Sequence, residues 1–362
     1  MITTINNKHK KLNVPNLRFP EFKGEWHLCK ISNILRIGNG RDYKHLAKGN
    51  IPVFGTGGYM TSVNDYLYDG ETTFIGRKGT INKPYYYKGK FWTVDTLFYT
   101  HSFDGIMPHF VYCLFQTINW LKYNEASGVP SLSKDTIEKI KVHIPQIKEQ
   151  QKISRLILLL DERIATQNKI IEDLKKLKSA ISKKLLSNDK WTTYKIQDIA
   201  EIGRGRVISS VEIDRQKHPL YPVYSSQTSN DGIMGYLDNY MFDGEYITWT
   251  TDGANAGTVF YRKGKFNCTN VCGTLKIQPK FDYYFVSLVL QQATQKYVSS
   301  NLANPKLMNN TMASIKIRMP NIETQKQLSK VFQTLDSCLL VHQRTCKMYL
   351  SEKQYLLRQM LI

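Results

Sequence analysis

The chain has 362 residues, 41% of them hydrophobic, and 50 Lys and Arg against 30 Asp and Glu, for a formal charge of +20. That length exceeds one ordinary hydrophobic core and points to two domains. No run of about 18 apolar residues is present, which argues against a membrane-spanning helix, and the opening MITTINNKHKKLNVP lacks the apolar stretch of a secretion signal. Six cysteines scattered at Cys29, Cys113, Cys268, Cys272, Cys338 and Cys346 fit a reducing, cytoplasmic setting. The basic excess is distributed: residues 1–145, 146–190, 191–320 and 321–362 carry +8, +5, +4 and +3. A charge spread over folded segments suggests a polyanionic partner, nucleic acid first, against the plainer reading of a generically basic soluble protein.

In chain order, Trp26 is followed by ILRIGNGR (34–41), IPVFGTGGYM (51–60), YDGETTFIGRKGTI (68–81) and YYYKGKFWTVDTLF (85–98). These short runs, rich in Gly, Tyr, Thr and Val and separated by turn residues, predict a mostly β globular domain. Within them, Lys-Gly flanked by aromatic residues reads as a two-residue hairpin turn with Gly89 at positive φ. MPHFVYCLFQTINWL (107–121) predicts one short helix on the sheet. The alternation of Ile140, Val142 and Ile144 predicts a half-buried strand that ends at Pro145. A long helix follows, with Ile157, Leu160, Ile164, Gln167, Ile171, Leu174, Ile181 and Leu185 on steps of three and four.

The same order then recurs. Trp191, IAEIGRGR (199–206), YPVYSSQTS (221–229), FDGEYITWTTDGANAGTV (242–259) and VFYRKGKFNCTNVC (259–272) repeat the first copy at an offset that grows from 165 residues (Trp26, Trp191) to 175 (Gly89, Gly264). TIEKIKVHIPQIKEQQKI (136–153) matches TMASIKIRMPNIETQKQL (311–328), with Pro145 above Pro320 and Gln150 above Gln325. Thr324 stands where the first copy has Glu149, which weakens a helix-capping role in the second copy. The second long helix carries Phe332, Leu335, Leu339, His342, Cys346, Tyr349, Leu356 and Met360 in the same spacing. A helix of about 38 residues runs about 57 Å, more than a small domain can cover, so two packed helices are favoured over two that each lie on their own domain. The divisions are residues 1–145 (first globular domain), 146–190 (first long helix), 191–320 (second globular domain) and 321–362 (second long helix).

Catalytic signatures are missing. NKPY (82–85) lacks the double proline of an amino-methylating site and has no nucleotide-binding pattern before it, so it reads as a loop. GETTFIGRKGT (70–80) has the wrong spacing for a phosphate-binding loop. Cys268 and Cys272 lack further ligands at zinc spacing and read as buried free thiols, and His27, His101 and His109 have no triad context.

The duplicated order resembles the specificity subunit of type I restriction-modification systems. The residues that carry the resemblance are NLRFPEFKGEW (16–26), IPVFGTGG with YPVYSSQ, SGVPSLS (127–133) with NLANPKLM (301–308), and above all IKVHIPQIKEQQKI with IKIRMPNIETQKQL. It implies an α+β fold in which two similar mostly-β target recognition domains are separated by two long antiparallel coiled-coil helices, an internal pseudo-two-fold repeat. Each domain would read one half of a split double-stranded DNA target. The helices, with seam residues Ile157, Leu160, Ile164, Ile171, Leu174, Phe332, Leu335, Leu339, Cys346 and Tyr349, would hold two methyltransferase subunits, joined in the full complex by translocase and nuclease subunits. It implies a non-catalytic chain that binds no metal or cofactor itself, with S-adenosylmethionine, ATP and Mg on its partners.

Readers of different half-sites should share a frame and differ in loops. GNGRDYK against GRGRVIS supplies Arg41, Lys44, Arg204 and Arg206. FGTGGYM against YSSQTSN supplies Thr56, Tyr59, Ser225, Ser226, Gln227 and Thr228, and Gln can pair with adenine in the major groove. GRKGTINK against TTDGANAGT supplies Arg77, Lys78, Asn82, Thr251, Asp252 and Asn255. The duplicated Lys-Gly-Lys-Phe reads as frame, with Lys88, Lys90, Arg262, Lys263 and Lys265 as phosphate contacts. The alternatives are a self-contained methyltransferase or nuclease with an unrecognised site, and a two-domain RNA-binding or scaffold protein.

Overall fold

The structure, a computed structural model, describes residues 3–4, 13–186, 188–299 and 304–362. Most of the N-terminal stretch and residues 301–303 of the second NLANPKLM motif lie outside the described residues. No described helix is long and apolar enough to cross a membrane. Contacts form two compact units, one running to Lys169 and adding Gln343–Ile362, the other Ile170–His342.

In the first unit, β1 (His27–Lys30) leads to β2 (Arg36–Asn39), β3 (Lys48–Gly55), β4 (Gly58–Val63), β5 (Tyr68–Gly76), β6 (Tyr85–Thr93) and β7 (Leu97–His101). A six-stranded sheet has the order β2-β7-β5-β6-β3-β4. Helix α1 (Pro108–Phe115) covers β5, and β8 (Lys141–Ile144) pairs antiparallel with β1. Helix α2 (Ile147–Leu185) follows, 39 residues long. Central β5 is buried on both faces, with Thr72, Thr73, Phe74 and Ile75 all inaccessible. The Thr72 hydroxyl donates to the Thr100 carbonyl at 2.8 Å, and the Thr73 backbone N–H donates to the Thr100 hydroxyl at 2.8 Å, which ties β5 to β7 through side chains as well as the ladder.

The second unit repeats this plan with β9 (Thr192–Lys195), β10 (Ala200–Arg204), β11 (Tyr221–Tyr224), β12 (Ile233–Leu237), β13 (Glu245–Thr250), β14 (Val259–Lys263), β15 (Asn267–Cys268), β16 (Cys272–Ile277), α3 (Tyr283–Ala293), β17 (Lys316–Met319) and α4 (Ile322–Met360). Its sheets run β10-β16-β13-β14 and β12-β11-β15, and β9 pairs with β17. Strand β6 of the first unit is here broken into β14 and β15. Both cores place a tryptophan edge-on against a helix phenylalanine, Trp26 on Phe110 at 6.2 Å and Trp191 on Phe285 at 5.8 Å.

Lys-Gly-Lys-Phe is not a hairpin turn. Gly89 (φ +124°) lies inside β6, directly across from Gly70 (φ +150°) on β5, and Gly264 (φ +96°) exchanges backbone hydrogen bonds with Gly244 (φ +106°). Each facing pair of glycines lets two paired strands bend together, which side chains at positive φ would resist.

Both long helices start by one device. Buried Gln150 donates from Nε2 to the carbonyls of Pro145 (2.9 Å) and Gly105 (3.0 Å), and its Oε1 accepts the Met107 N–H at 2.9 Å. Gln325 donates to Pro320 O at 2.8 Å and accepts the Asp282 N–H at 3.0 Å. The expected weakening of the second cap does not occur: the Asn321 side chain accepts the Thr324 N–H at 2.9 Å. Glu149 is instead a buried partner of Arg18, held by two hydrogen bonds of 2.8 Å.

The helical seam is buried at Ile157, Leu160, Ile164, Phe332, Leu339 and Cys346 and half-buried at Ile171, Leu174, Leu335 and Tyr349. Its spacing passes through two lysines, Lys178 and Lys353, 175 residues apart. In the first unit Lys353 Nζ donates to Asp161 (2.6 Å) and to the Tyr112 hydroxyl (2.9 Å), and Cys346 donates to Asn168. In the second, Lys178 and the Tyr284 hydroxyl both donate to Asp336. In the first unit the contacts of Asp161 with Lys353 and of Asn168 with Cys346 run the paired helix segments antiparallel. Burial pushes the Lys353 pKa down, and Tyr112 and Asp161 more than offset that, so it lies above its ordinary value.

Replacing Gln150 or Gln325 with Leu strands buried backbone groups and should lower stability by about 2–4 kcal/mol, read as an earlier urea midpoint. Lys353→Met should cost about 1–3 kcal/mol, short of a fully buried pair because Asp161 keeps some solvent contact, and Lys353→Met with Asp161→Leu should recover most of the loss.

Candidate nucleic-acid interface

The three loop groups singled out in each copy are tied to one turn. In the first unit that turn is Thr93–Thr96. The Arg41 N–H donates to the Thr93 carbonyl (2.8 Å), the Val94 N–H to the Phe54 carbonyl (3.0 Å), and the Arg77 N–H to the Thr96 carbonyl (2.8 Å). In the second unit it is Cys268–Val271. The Arg206 N–H donates to Cys268 O (3.2 Å), the Thr269 N–H to Tyr224 O (2.9 Å), and the Thr251 N–H to Val271 O (2.9 Å). Glycines permit the approach: a Cβ on Gly40 would meet Val94 O at 1.9 Å, and one on Gly205 would meet Cys268 O at 2.1 Å.

On this shared frame the side chains differ. In the first unit Arg41, Lys44, Arg77, Lys78 and Asn82 are exposed, Tyr59 is 64% exposed with its hydroxyl 3.0 Å from Ser62, and Thr56 is half-buried beside the 76–79 loop. Arg77 lies over the Phe98 ring at 5.9 Å and donates to Asp95 O. In the second unit Arg204 donates to Thr251 Oγ1 (2.9 Å) and to Asp252 (3.3 Å), and Lys306 lies 3.7 Å from Asp252. Asn255 donates to the Ser226 carbonyl at 3.3 Å, and Gln227 donates to Ile233 O. Ser225, Ser226 and Gln227 are half-buried, Thr228 is exposed and Thr251 is buried. Arg206 is paired with Glu212 at 2.9 Å. The structure thus joins Arg204, Thr251 and Asp252 in one cluster and links the Gln227 loop to Asn255. It adds three residues that the sequence did not flag: Lys306, and the exposed turn residues Asp95 and Asn270.

The lysines of the duplicated motif are occupied within the fold, identically in both units. Lys88 lies 3.1 Å from Glu71 and Lys263 lies 3.3 Å from Glu245; Lys90 sits over the Tyr66 ring at 4.7 Å and Lys265 over Tyr240 at 4.4 Å. Arg262 cannot contact phosphate as the sequence suggested, since its side chain is 3% exposed. It donates to the Asp231 carboxylate (2.6 Å) and carbonyl (2.8 Å) and is stacked between Tyr224 and Phe260 at 3.6 and 4.3 Å. It therefore fixes the turn at Asn230 and Asp231, both at positive φ, which carries the Gln227 loop. Cys268 and Cys272 are buried, and burial pushes both thiols up, Cys272 to about 11. Among the described residues no group of three His, Cys, Asp or Glu could hold a metal ion.

A model of the type I restriction modification DNA specificity domain matches twice, over residues 23–176 and 188–347, once per copy of the repeat. The chain belongs to this family. It is 42% identical over 146 residues to the specificity subunit of a type I restriction enzyme of Mycoplasma pneumoniae, a match covering 40% of this chain and 44% of that one. Another M. pneumoniae chain, named as a type I specificity subunit, is 36% identical over 215 residues, 58% of this chain and 80% of the relative. The crystal structure of a type I restriction-modification S subunit from M. genitalium shares the fold, with a TM-score of 0.77 over 96% of this chain and 99% of that one at 16% identity. The family that the duplicated motifs resemble is the one found, and the specificity subunit carries its two DNA recognition domains on the shared frame described above.

Arg262→Ala should release the 225–232 loop of the specificity subunit. Hydrogen exchange at residues 225–232 should rise at least tenfold while α3 keeps its protection, as expected when a buried charged hydrogen-bond anchor is lost.

Proposed function

We propose that the chain is a non-catalytic DNA reader whose two units each recognise one half of an asymmetric, bipartite duplex target. The observation that carries this reading is the pair of turns, Thr93–Thr96 and Cys268–Val271, each binding three loops through equivalent backbone hydrogen bonds while the loop side chains differ. A common frame with unlike side chains suits two unlike half-sites. Base edges would be read by polar side chains such as Gln227 and Asn255, and exposed Lys44, Lys78 and Arg41 would neutralise phosphate. Phosphate contacts make affinity fall with salt at a slope near 0.9 per neutralised phosphate.

In this reading residues 1–145 and 191–320 are the recognition domains, and residues 146–190 and 321–362 space them, so the halves of the target flank an unread gap. The chain works in the cytoplasm on two adenine methyltransferase subunits, with translocase and nuclease subunits completing the restriction complex. S-adenosylmethionine, ATP and Mg would belong to those partners.

The test is to map methylated adenines in DNA from cells carrying the chain with its methyltransferase subunit. A two-part asymmetric word is expected, and Gln227→Ala with Asn255→Ala should alter one half of it only. A continuous or symmetric word, or methylation or cleavage by the purified chain alone with S-adenosylmethionine, would overturn the proposal.

A further inference from the structure

Each unit contains a groove that the family assignment does not explain, and the two grooves are the same feature repeated. In the first unit it lies between the end of α1 and the last turns of α4, with a volume of about 440 Å³. In the second it lies between α3 and the last turns of α2, with a volume of about 650 Å³. Five lining positions coincide at an offset of 175 residues: Gln116 with Gln291, Thr117 with Gln292, Gln354 with Ser179, Leu357 with Ser182, and Arg358 with Lys183.

The chemistry of the walls is one-sided. Basic residues line both grooves, Lys83 and Arg358 in the first and Lys175, Lys178 and Lys183 in the second, with Lys178 paired to Asp336, and no acidic residue lines either among the described residues. The floors are apolar, with buried Leu357 in the first and buried Leu288 and Leu339 in the second. In the second groove Gln291 Nε2 donates to the Val259 carbonyl at 3.2 Å. In the first, Pro84 takes the place of Val259, and Gln116 Nε2 is buried without a hydrogen-bond partner.

Resting on the function proposed above, we infer that these grooves are equivalent docking sites for one segment of the methyltransferase subunit, one copy per groove, and that the segment bears a carboxylate beside an aliphatic side chain. The carboxylate meets Arg358 or Lys183, and the aliphatic group meets the leucine floor. A duplicated site suits a partner present twice. A DNA backbone would also be attracted by the rim, but phosphate gains nothing from a leucine floor, so a protein segment fits better.

The test uses the full chain co-expressed with the methyltransferase subunit, and native mass spectrometry counts the bound copies. Arg358→Glu or Lys183→Glu alone should leave one tightly held copy, with the other weakened at least tenfold, and the double variant should hold none at the same concentration. Thr117→Trp with Gln292→Trp, at exposed positions, fills both grooves without changing charge and should act like the double charge reversal. Unchanged melting temperatures establish that the variants fold. Two copies retained in both double variants would overturn the inference. So would intact assembly with at least tenfold weaker duplex binding by the free chain, which would make the grooves phosphate sites. A wild-type chain that binds no methyltransferase subunit would instead sink the function proposed above.

Discussion

Two lysine–aspartate pairs, Lys353 with Asp161 and Lys178 with Asp336, determine how the long helices meet within each unit. An apolar heptad seam alone tolerates a slide by one repeat, because one leucine replaces another at little cost. A lysine at a seam position opposes that slide, most strongly at buried Lys353, where another register would leave the ammonium group without a carboxylate away from water; the Lys178 pair keeps more solvent contact and constrains the register less. Tyr112 and Tyr284, from the helices that cap the sheets, join the two pairs and carry the constraint from the seam into each globular core.

From those helices outward the two units spend their charges alike. Glu71 and Glu245 hold Lys88 and Lys263, the Tyr261 hydroxyl donates to Glu245 at 2.5 Å, and Tyr66 and Tyr240 lie under Lys90 and Lys265. These contacts recur at equivalent positions in both copies of the motif. In the loops, where the two copies differ, Arg41, Lys44 and Lys78 of the first unit are exposed, whereas Arg204 and Arg206 of the second are paired with Asp252 and Glu212.

That the candidate loops group together was legible in the sequence. Growing offsets between the copies located the insertions in the loops, and the loops around Arg41, Tyr59, Arg77, Arg204, Gln227 and Asn255 do share a common frame. The turn that holds them lies inside the repeat yet is invisible in the sequence, because its work is done by backbone N–H and C=O groups that leave no residue signature. Arg262 was misplaced because a strand arginine beside Lys263 looks exposed; the pleat turns it inward, where Asp231 and two rings receive it. Lys-Gly-Lys-Phe looked like a turn because glycine permits one, but the opposing glycine that makes it a strand bend is 19 residues away in one copy and 20 in the other.

The sequence by itself determined the duplication, the β-rich domains, the long helices and the family, because periodicity and repeated order are one-dimensional signals that survive without coordinates. The tertiary structure alone decided where each helix is shared between units, which lysines are held by acids or rings, which arginine is buried, and that two grooves with basic rims and apolar floors recur at equivalent positions. Those properties depend on what lies across a strand or on the facing helix, and such partners are tens to nearly two hundred residues away in the chain.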